Sequence, residues 1–495
     1  MTKLARAAAH PLTCRKVTVP MSDDSSFSPT RTPPPVSGPP QPERGKFTTG
    51  STMRHILVMS GSSGIGLMAV FLVDFADLYF LGLLGEIEVA AAIGYAGSVL
   101  FFTVALGVAL SIAATAIVSP ALGAGKKPRA RRRAVDALLF AVIAASVLAA
   151  VLWLSVPVLL DWLGAEGRAD TLATSYLRIV VLATPFLAVG MTSAALLRSV
   201  GDAKRAMYVT LSGAIINGLM DPLFIFALGL GVDGAAIASA LARLTMALVG
   251  LYGIVWVHGL LASPKPKQFL RDAVAIAGVA GPVALTNLAT PIANAYVTSS
   301  MAPYGVSAVA GWAVLSRLIP VSFAGIFALS GAIGPVLGQN LGAREFARLR
   351  QAFVNGVTVV LLYALVVWAI LASFHEVIAH AFNARGDAAE VIAFFCVWLS
   401  PGFGVLGLLF MSNAAFNNLG RPQYATIFNW GRATLGTILP VSIASQYFGP
   451  YGVLAGQVLG GMSFGILAAA ACYFYIASLE RAAQRVPGAE AAPAE

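Results

Sequence analysis

Leu122-Gly123-Ala124, followed by Arg129 and Arg131, returns about 219 residues later as Leu341-Gly342-Ala343, followed by Arg348 and Arg350. Nearly the same offset carries Gly201, in Leu197-Arg198-Ser199-Val200-Gly201, onto Gly420, in Asn417-Asn418-Leu419-Gly420. Self-similarity at one long, fixed offset marks a chain built from two related units. Outward from each copy run apolar stretches of about 25 residues, recurring from Arg54 to about Tyr475, each long enough to cross a hydrocarbon layer that needs roughly 20 helical residues. The repeating unit is therefore a bundle of membrane-crossing helices.

The composition agrees. Hydrophobic residues make up 58% of the 495 and charged residues 11%, against roughly a quarter charged in soluble domains. Spans are expected at about 55–84, 97–121, 135–160, 172–197, 206–230, 234–261, 274–301, 306–337, 353–381, 388–415, 423–446 and 450–477. The fold class expected is an all-α polytopic membrane protein, twelve transmembrane helices in two pseudo-symmetric six-helix lobes. An even number of spans per half keeps both halves in one orientation. Residues 54–262 form the N-lobe, 263–273 a polar cytoplasmic linker, 274–478 the C-lobe and 479–495 a cytoplasmic tail. Residues 1–53, with Thr32-Pro33-Pro34-Pro35 and Gly38-Pro39-Pro40, read as a disordered cytoplasmic tail without the apolar core of a signal peptide. Met21 is a second candidate start.

A net charge of +10 raises nucleic acid as a partner, and the distribution of that charge argues against it. Lys126, Lys127, Arg129, Arg131, Arg132 and Arg133 crowd one short loop, while the preceding loop has Glu86 and Glu88 and no cation. Basic and non-basic loops then alternate along the chain. Basic loops stay cytoplasmic, which leaves both termini inside a cell membrane; contact with lipid phosphate is a secondary use of the cluster. Cys14, Cys396 and Cys472 are too few and too scattered for a disulfide framework or metal cage. No cofactor is expected, and a monomer is.

Ionisable groups at membrane depth are costly, rare and functional by default. Asp74 and Asp77 stand three apart in the first span, and Asn217 and Asp221 four apart in the fifth, so each pair shares a helical face. The repeat carries these positions onto Asn294, Tyr296 or Val297, Gly436 and Pro440, so the acids belong to the first lobe alone. Carboxyl groups facing one pocket can hold a proton; the same oxygens, with Asn217 and a hydroxyl, can coordinate Na⁺. The plainer readings are that Asp77 is solvated near the outer interface, that Asp74 only supports it, and that Asp221-Pro222 ends a helix. Arg243 and Arg317 read as structural, snorkelling or bonded to backbone carbonyls.

Asp77-Leu78-Tyr79-Phe80-Leu81-Gly82-Leu83-Leu84-Gly85, then Leu196-Leu197-Arg198-Ser199-Val200-Gly201-Asp202-Ala203-Lys204, and above all Ile216-Asn217-Gly218-Leu219-Met220-Asp221-Pro222-Leu223-Phe224, followed by Gly231-Val232-Asp233-Gly234, resemble the multidrug and toxic compound extrusion family over about residues 54 to 477. The resemblance implies a V-shaped exporter exchanging a drug-like compound for H⁺ or Na⁺. Asp77, Asn217 and Asp221 match the acid, amide and acid of its DinF-like branch, and Ser239 matches a position usually held by Thr. The second-lobe acids of the NorM-type branch have no counterpart. Where the family often has a Pro before the first-span Asp this chain has Ser62, in the kink-prone Gly61-Ser62-Ser63-Gly64.

The function expected is thus a secondary antiporter, H⁺ favoured over Na⁺, exporting hydrophobic cationic compounds, with Asn287, Asn294 and Asn413 of the second lobe in the substrate cavity. A flippase for a lipid-linked or polar lipid substrate is the alternative, and its cavity would carry several Arg or Lys. A membrane-embedded enzyme holding Mg²⁺ at Asp74-x-x-Asp77 lacks a second Asp-rich motif.

Overall fold

A computed structural model describes residues 45–485, so Cys14, Met21, most of the expected N-terminal tail and the last ten residues lie outside the described residues. No strand occurs among the described residues. The first half contains α1 (Thr52–Gly82), α2 (Ile87–Gly123), α3 (Lys127–Trp162), α4 (Gly167–Leu182), α5 (Thr184–Ser199), α6 (Ala203–Pro222) and α7 (Gly231–Tyr252). The second contains α8 (Pro266–Met301), α9 (Val306–Ser322), α10 (Ala324–Gly342), α11 (Phe346–Ser373), the short α12 (His375–Ala381), α13 (Asp387–Phe394), α14 (Ser400–Asn418), α15 (Pro422–Ala433) and α16 (Ile438–Gln484). Helix ends obey the repeat: α2 and α10 end 219 residues apart, as do α5 and α14, while α6 and α15 begin 219 apart. Gly125 takes a left-handed cap after α2 (φ +71°), and Arg344 takes the same conformation after α10 (φ +59°), unusual for a residue with a Cβ.

Ten stretches of helix are long and apolar enough to cross a membrane among the described residues, and α4 with α5, bent by 47°, makes an eleventh. The bend falls at Ala183, just before Thr184-Pro185, where the proline has no N–H for the carbonyl four residues back and its ring crowds that carbonyl. One of the ten, Pro422–Gln484, is two spans. Gly449 breaks α16 with φ +56° ahead of Pro450, and a Cβ on Gly452, Gly456 or Gly460 would strike the backbones of Ala444, Pro440 and Gly436. Those pairs descend in register as an antiparallel helical hairpin does, with a glycine every fourth residue letting the backbones touch. Counted so, twelve spans result.

Three expected boundaries move. The linker is non-helical only to Lys265, because Pro266 starts α8 at a position where its missing N–H costs nothing. The last helix runs to Gln484, past the tail expected from 479, and Glu480 pairs with Arg350 at 3.1 Å. Residues 45–51 are ordered. Lys46–Thr48 form a 3₁₀ turn in which Phe47 is 1% exposed, its N–H donating to Gln339 Oε1 at 2.8 Å and its carbonyl accepting from Asn340 Nδ2 at 3.2 Å. Lys46 Nζ donates to the Gly201 carbonyl at 2.8 Å. This turn ties the first half to the second at the end that carries the basic loops, and an aromatic with a core to enter outweighs the polarity around it.

At that same end the repeated motif meets itself. A Cβ on Gly123 would fall on the Gln339 carbonyl, and one on Gly342 on the Pro120 carbonyl, which is the same contact carried across the repeat. Ser119 and Ser199 hydroxyls bond beneath it at 3.1 Å, and Gln339 Nε2 donates to the Ser199 carbonyl at 2.7 Å. The two Leu-Gly-Ala segments are thus where the halves cross, backbone on backbone, and they close the basic-loop end.

Candidate functional site

α1 packs along α6, and a single amide joins the two acids carried by these helices. Asn217 Nδ2 donates to Asp221 Oδ2 at 2.7 Å and to Asp77 Oδ1 and Oδ2 at 3.0 and 3.2 Å. The i, i+4 spacing of Asn217 and Asp221 on α6 puts them on one face, and α1 presents Asp77 to it. Asp77 and Asp221 thus converge on one amide nitrogen. Asp221 is fully buried, and its Oδ1 has no hydrogen-bond partner. The amide donor holds the half-buried Asp77 against the buried Asp221, and two carboxylates this near one nitrogen repel each other unless a positive charge lies between them.

The other two expected members stand apart. Asp74 is exposed, facing Asp77 as a neighbouring charge without joining the hydrogen-bonded group. Ser239 lies within hydrogen-bonding reach of Tyr176, on α4, and not of the acids. Tyr176 lies close enough to Asp77, Asp221 and Arg243 to feel their charge, and Arg243 Nη1 donates to the Val180 carbonyl at 3.0 Å, so the structural reading of Arg243 fits. Nothing in the sequence spacing links Tyr176 to the acids, since it comes from another helix. α1 runs as one helix through Gly61 to Gly64. Among the described residues no group of three or more His, Cys, Asp or Glu is arranged to hold a metal ion.

Between the halves lies a cavity of about 730 Å³, within the size range of small-molecule sites. Ser63, Leu67 and Val70 of α1 line it, and Asp74 and Asp77 continue the same stripe by steps of four and three. On α6, Ala206, Met207 and Thr210 line it, and Asn217 and Asp221 follow on that face. The acid cluster and the cavity therefore share two helices, with the acids further from the basic-loop end. Asn287, Asn294 and Asn413 all reach the cavity wall. Asn287 donates across the halves to the Ala105 carbonyl at 3.2 Å, and Asn413 accepts from Asn429 at 2.8 Å.

The cavity lining contains Arg198 and Arg432 and no carboxylate. The acids expected to favour a hydrophobic cation sit beyond the cavity, whose wall carries two guanidinium groups. Arg432 stands in the middle of the eleventh apolar run, so the rarity of intramembrane charge marks it as clearly as it marks Asp77.

Comparison with known proteins follows the same outline. The MatE family profile matches residues 63–223 and again 282–441, two matches that start 219 residues apart. The chain is 29% identical over 428 residues to the FAD transporter of Shewanella oneidensis, covering 85% of this chain and 93% of that protein. It is 21% identical to the multidrug export protein MepA of Staphylococcus haemolyticus, over 82% of this chain and 90% of that one. A mutant of the MATE transporter VcmN of Vibrio cholerae, solved by crystallography, superposes with a TM-score of 0.82 at 24% identity, covering 87% of this chain and 98% of that one.

Proposed function

The chain belongs to the MatE family of multi-pass membrane transporters, and we propose that it is a cation-coupled antiporter that exports small organic molecules across the plasma membrane, its basic loops cytoplasmic. It is a transporter and not an enzyme. The observation that carries the coupling is the Asp77–Asn217–Asp221 cluster. A buried acid and a half-buried one joined by an amide form a site whose charge state one bound cation would set.

Two features favour H⁺ over Na⁺. Asn217 turns its nitrogen to both carboxylates, so its amide supplies donors there and not the oxygen that a hard cation needs. Both carboxylates also converge on one amide nitrogen, so that a single proton can relieve the repulsion between them. The stripes on α1 and α6 connect this site to the cavity wall. A ligand shifts a two-state equilibrium only through differential affinity, so exchange requires that the cation favour a conformation in which the organic substrate binds poorly. Loading the cluster removes the repulsion between its acids and alters how α1 lies on α6, and the cavity wall moves with both. The two relatives, a multidrug export protein and a FAD transporter, both carry small organic molecules, which supports the cargo class without fixing its charge.

The test is efflux from proteoliposomes under separately imposed pH and Na⁺ gradients. Transport driven by the pH gradient with no Na⁺ present is expected. Transport that needs Na⁺ at every pH would reject proton coupling, and transport indifferent to both gradients would reject the antiport reading.

A further inference from the structure

Arg432 is 5% exposed and stands at the end of α15, where the eleventh span breaks at residues 434–437 before α16 resumes. Its Nη2 donates to Thr290 Oγ1 at 3.1 Å, and its Nε is buried without a partner. Arg198, near the end of α5, faces the same cavity, and its Nε is likewise buried and unpartnered. No ion pair among the described residues involves either side chain. A guanidinium stays charged, and an uncompensated charge in a low-dielectric setting costs several kcal/mol. A hydroxyl such as Thr290 accepts a hydrogen bond but cancels no charge. Broken spans in transporters line binding cavities, so the charge at this break faces the space a substrate would fill.

The rest of the wall has a different character. Phe101, Phe327, Phe403, Phe410 and Trp312 supply aromatic faces, while Asn417 and Asn418 each hold a buried Oδ1 without a partner. The occupant that matches all three features has a flat apolar body, a few hydrogen-bond donors and an anionic group. From this juxtaposition we infer that the transported substrate is an amphiphilic organic anion, an aromatic body bearing a phosphate, sulfonate or carboxylate that Arg432 and Arg198 receive. The inference rests on the exporter reading above and names its substrate class. Arg suits such groups because its planar fork meets two oxygens at once.

The experiment uses the full chain in lipid nanodiscs and three probes that share one ring system: pyrene-1-sulfonate, neutral pyrene-1-methanol and cationic pyrenylmethyl-trimethylammonium. Binding is read by fluorescence anisotropy. The sulfonate should bind about tenfold or more tighter than the alcohol, and the ammonium most weakly. Arg432→Met and Arg198→Met should each lower sulfonate affinity by about 10- to 100-fold while leaving the alcohol within about threefold of the unmodified chain. Arg432→Lys should retain part of the preference, and with Arg198→Met it decides the matter should Arg432→Met fail to fold. Ammonium binding as tight as the sulfonate, or sulfonate affinity that survives both Met substitutions, overturns the inference. Translocation of a fluorescent phosphatidylglycerol without sulfonate binding overturns it too, by assigning the guanidinium groups to lipid phosphate. These outcomes separate from failure of the antiporter reading: a cationic probe driven by the pH gradient and stopped by Asp77→Asn would leave coupling intact and remove only the anion.

Discussion

Replacing Gly123 with Ala should open the basic-loop end of the cavity. The added Cβ would lie 2.6 Å from the carbonyl carbon of Gln339, and a Cβ on Gly342 lies 2.6 Å from that of Pro120, where ordinary contacts are 3.4–4 Å. Because the obstacle is helix backbone on both sides, no side chain can swing away, and the halves must part by roughly 1 Å. Overpacking of this kind costs about 1–3 kcal/mol, which at about 1.4 kcal/mol per decade lowers the population of the closed arrangement about 5- to 150-fold. Gly342→Ala should match it, since the contact is the same one carried across the repeat. The double substitution should cost less than the sum, because one displacement relieves both clashes. The assay is labelling of Thr115→Cys, which lines the cavity, by a membrane-impermeant maleimide applied from the basic-loop side, in a chain with Cys14→Ser; Cys396 and Cys472 are buried. Labelling should accelerate in either Ala variant. An unchanged rate in both, with the protein still folded, would show that this crossing is not what closes that end.

Substituting Asn287, Asn294 or Asn413 with Ala should change substrate range or affinity while pH-driven turnover of some substrate persists, measured with a panel of fluorescent compounds; loss of all coupling in Asn294→Ala would move the ion site to the second lobe. Single cysteines at 126–133 and 344–350 should label only from the cytoplasm and those at Glu86 and Arg385 only from outside, and outside labelling in the six-charge loop would invert the topology. Burial pushes the Asp202 carboxyl up, but hydrogen bonds from Arg205 and His258 outweigh it and hold the carboxyl below its ordinary value. Its stabilising contribution is therefore present above the unfolded value and disappears as pH falls through the folded one. Asp202→Asn should lower thermal stability near neutral pH by up to about 1 kcal/mol, given the exposure of Arg205, and a difference from the unmodified chain that fails to shrink on acidification would contradict this.

The architecture was legible because two signals survive in a single sequence: apolar run length, and a long repeat that fixes helix ends 219 residues apart at Gly123 and Gly342. Asp77, Asn217 and Asp221 were legible as a group because each helix carries its own spacing and intramembrane charge is rare. Interruptions inside apolar runs were not. Ala183, Phe323 and residues 434–437 break helices without changing composition, so hydropathy passes over them. The Tyr176 contact that claims Ser239 depends on how α4 packs against α7, which no spacing along one helix encodes. Phe47 looked like part of a polar tail until the pocket formed by Gln339 and Asn340 was in place.

We propose that one cation, exchanged at Asp77 and Asp221, drives export. The most direct measurement of this is proton release or uptake by the purified chain on substrate addition, followed with a pH dye in weakly buffered nanodiscs, for the unmodified protein and for Asp77→Asn and Asp221→Asn. Substrate binding should release protons from the unmodified protein and none from either variant, with substrate still bound. Equal proton release in both variants, or substrate binding with no proton change in the unmodified chain at any pH from about 6 to 8, would contradict it.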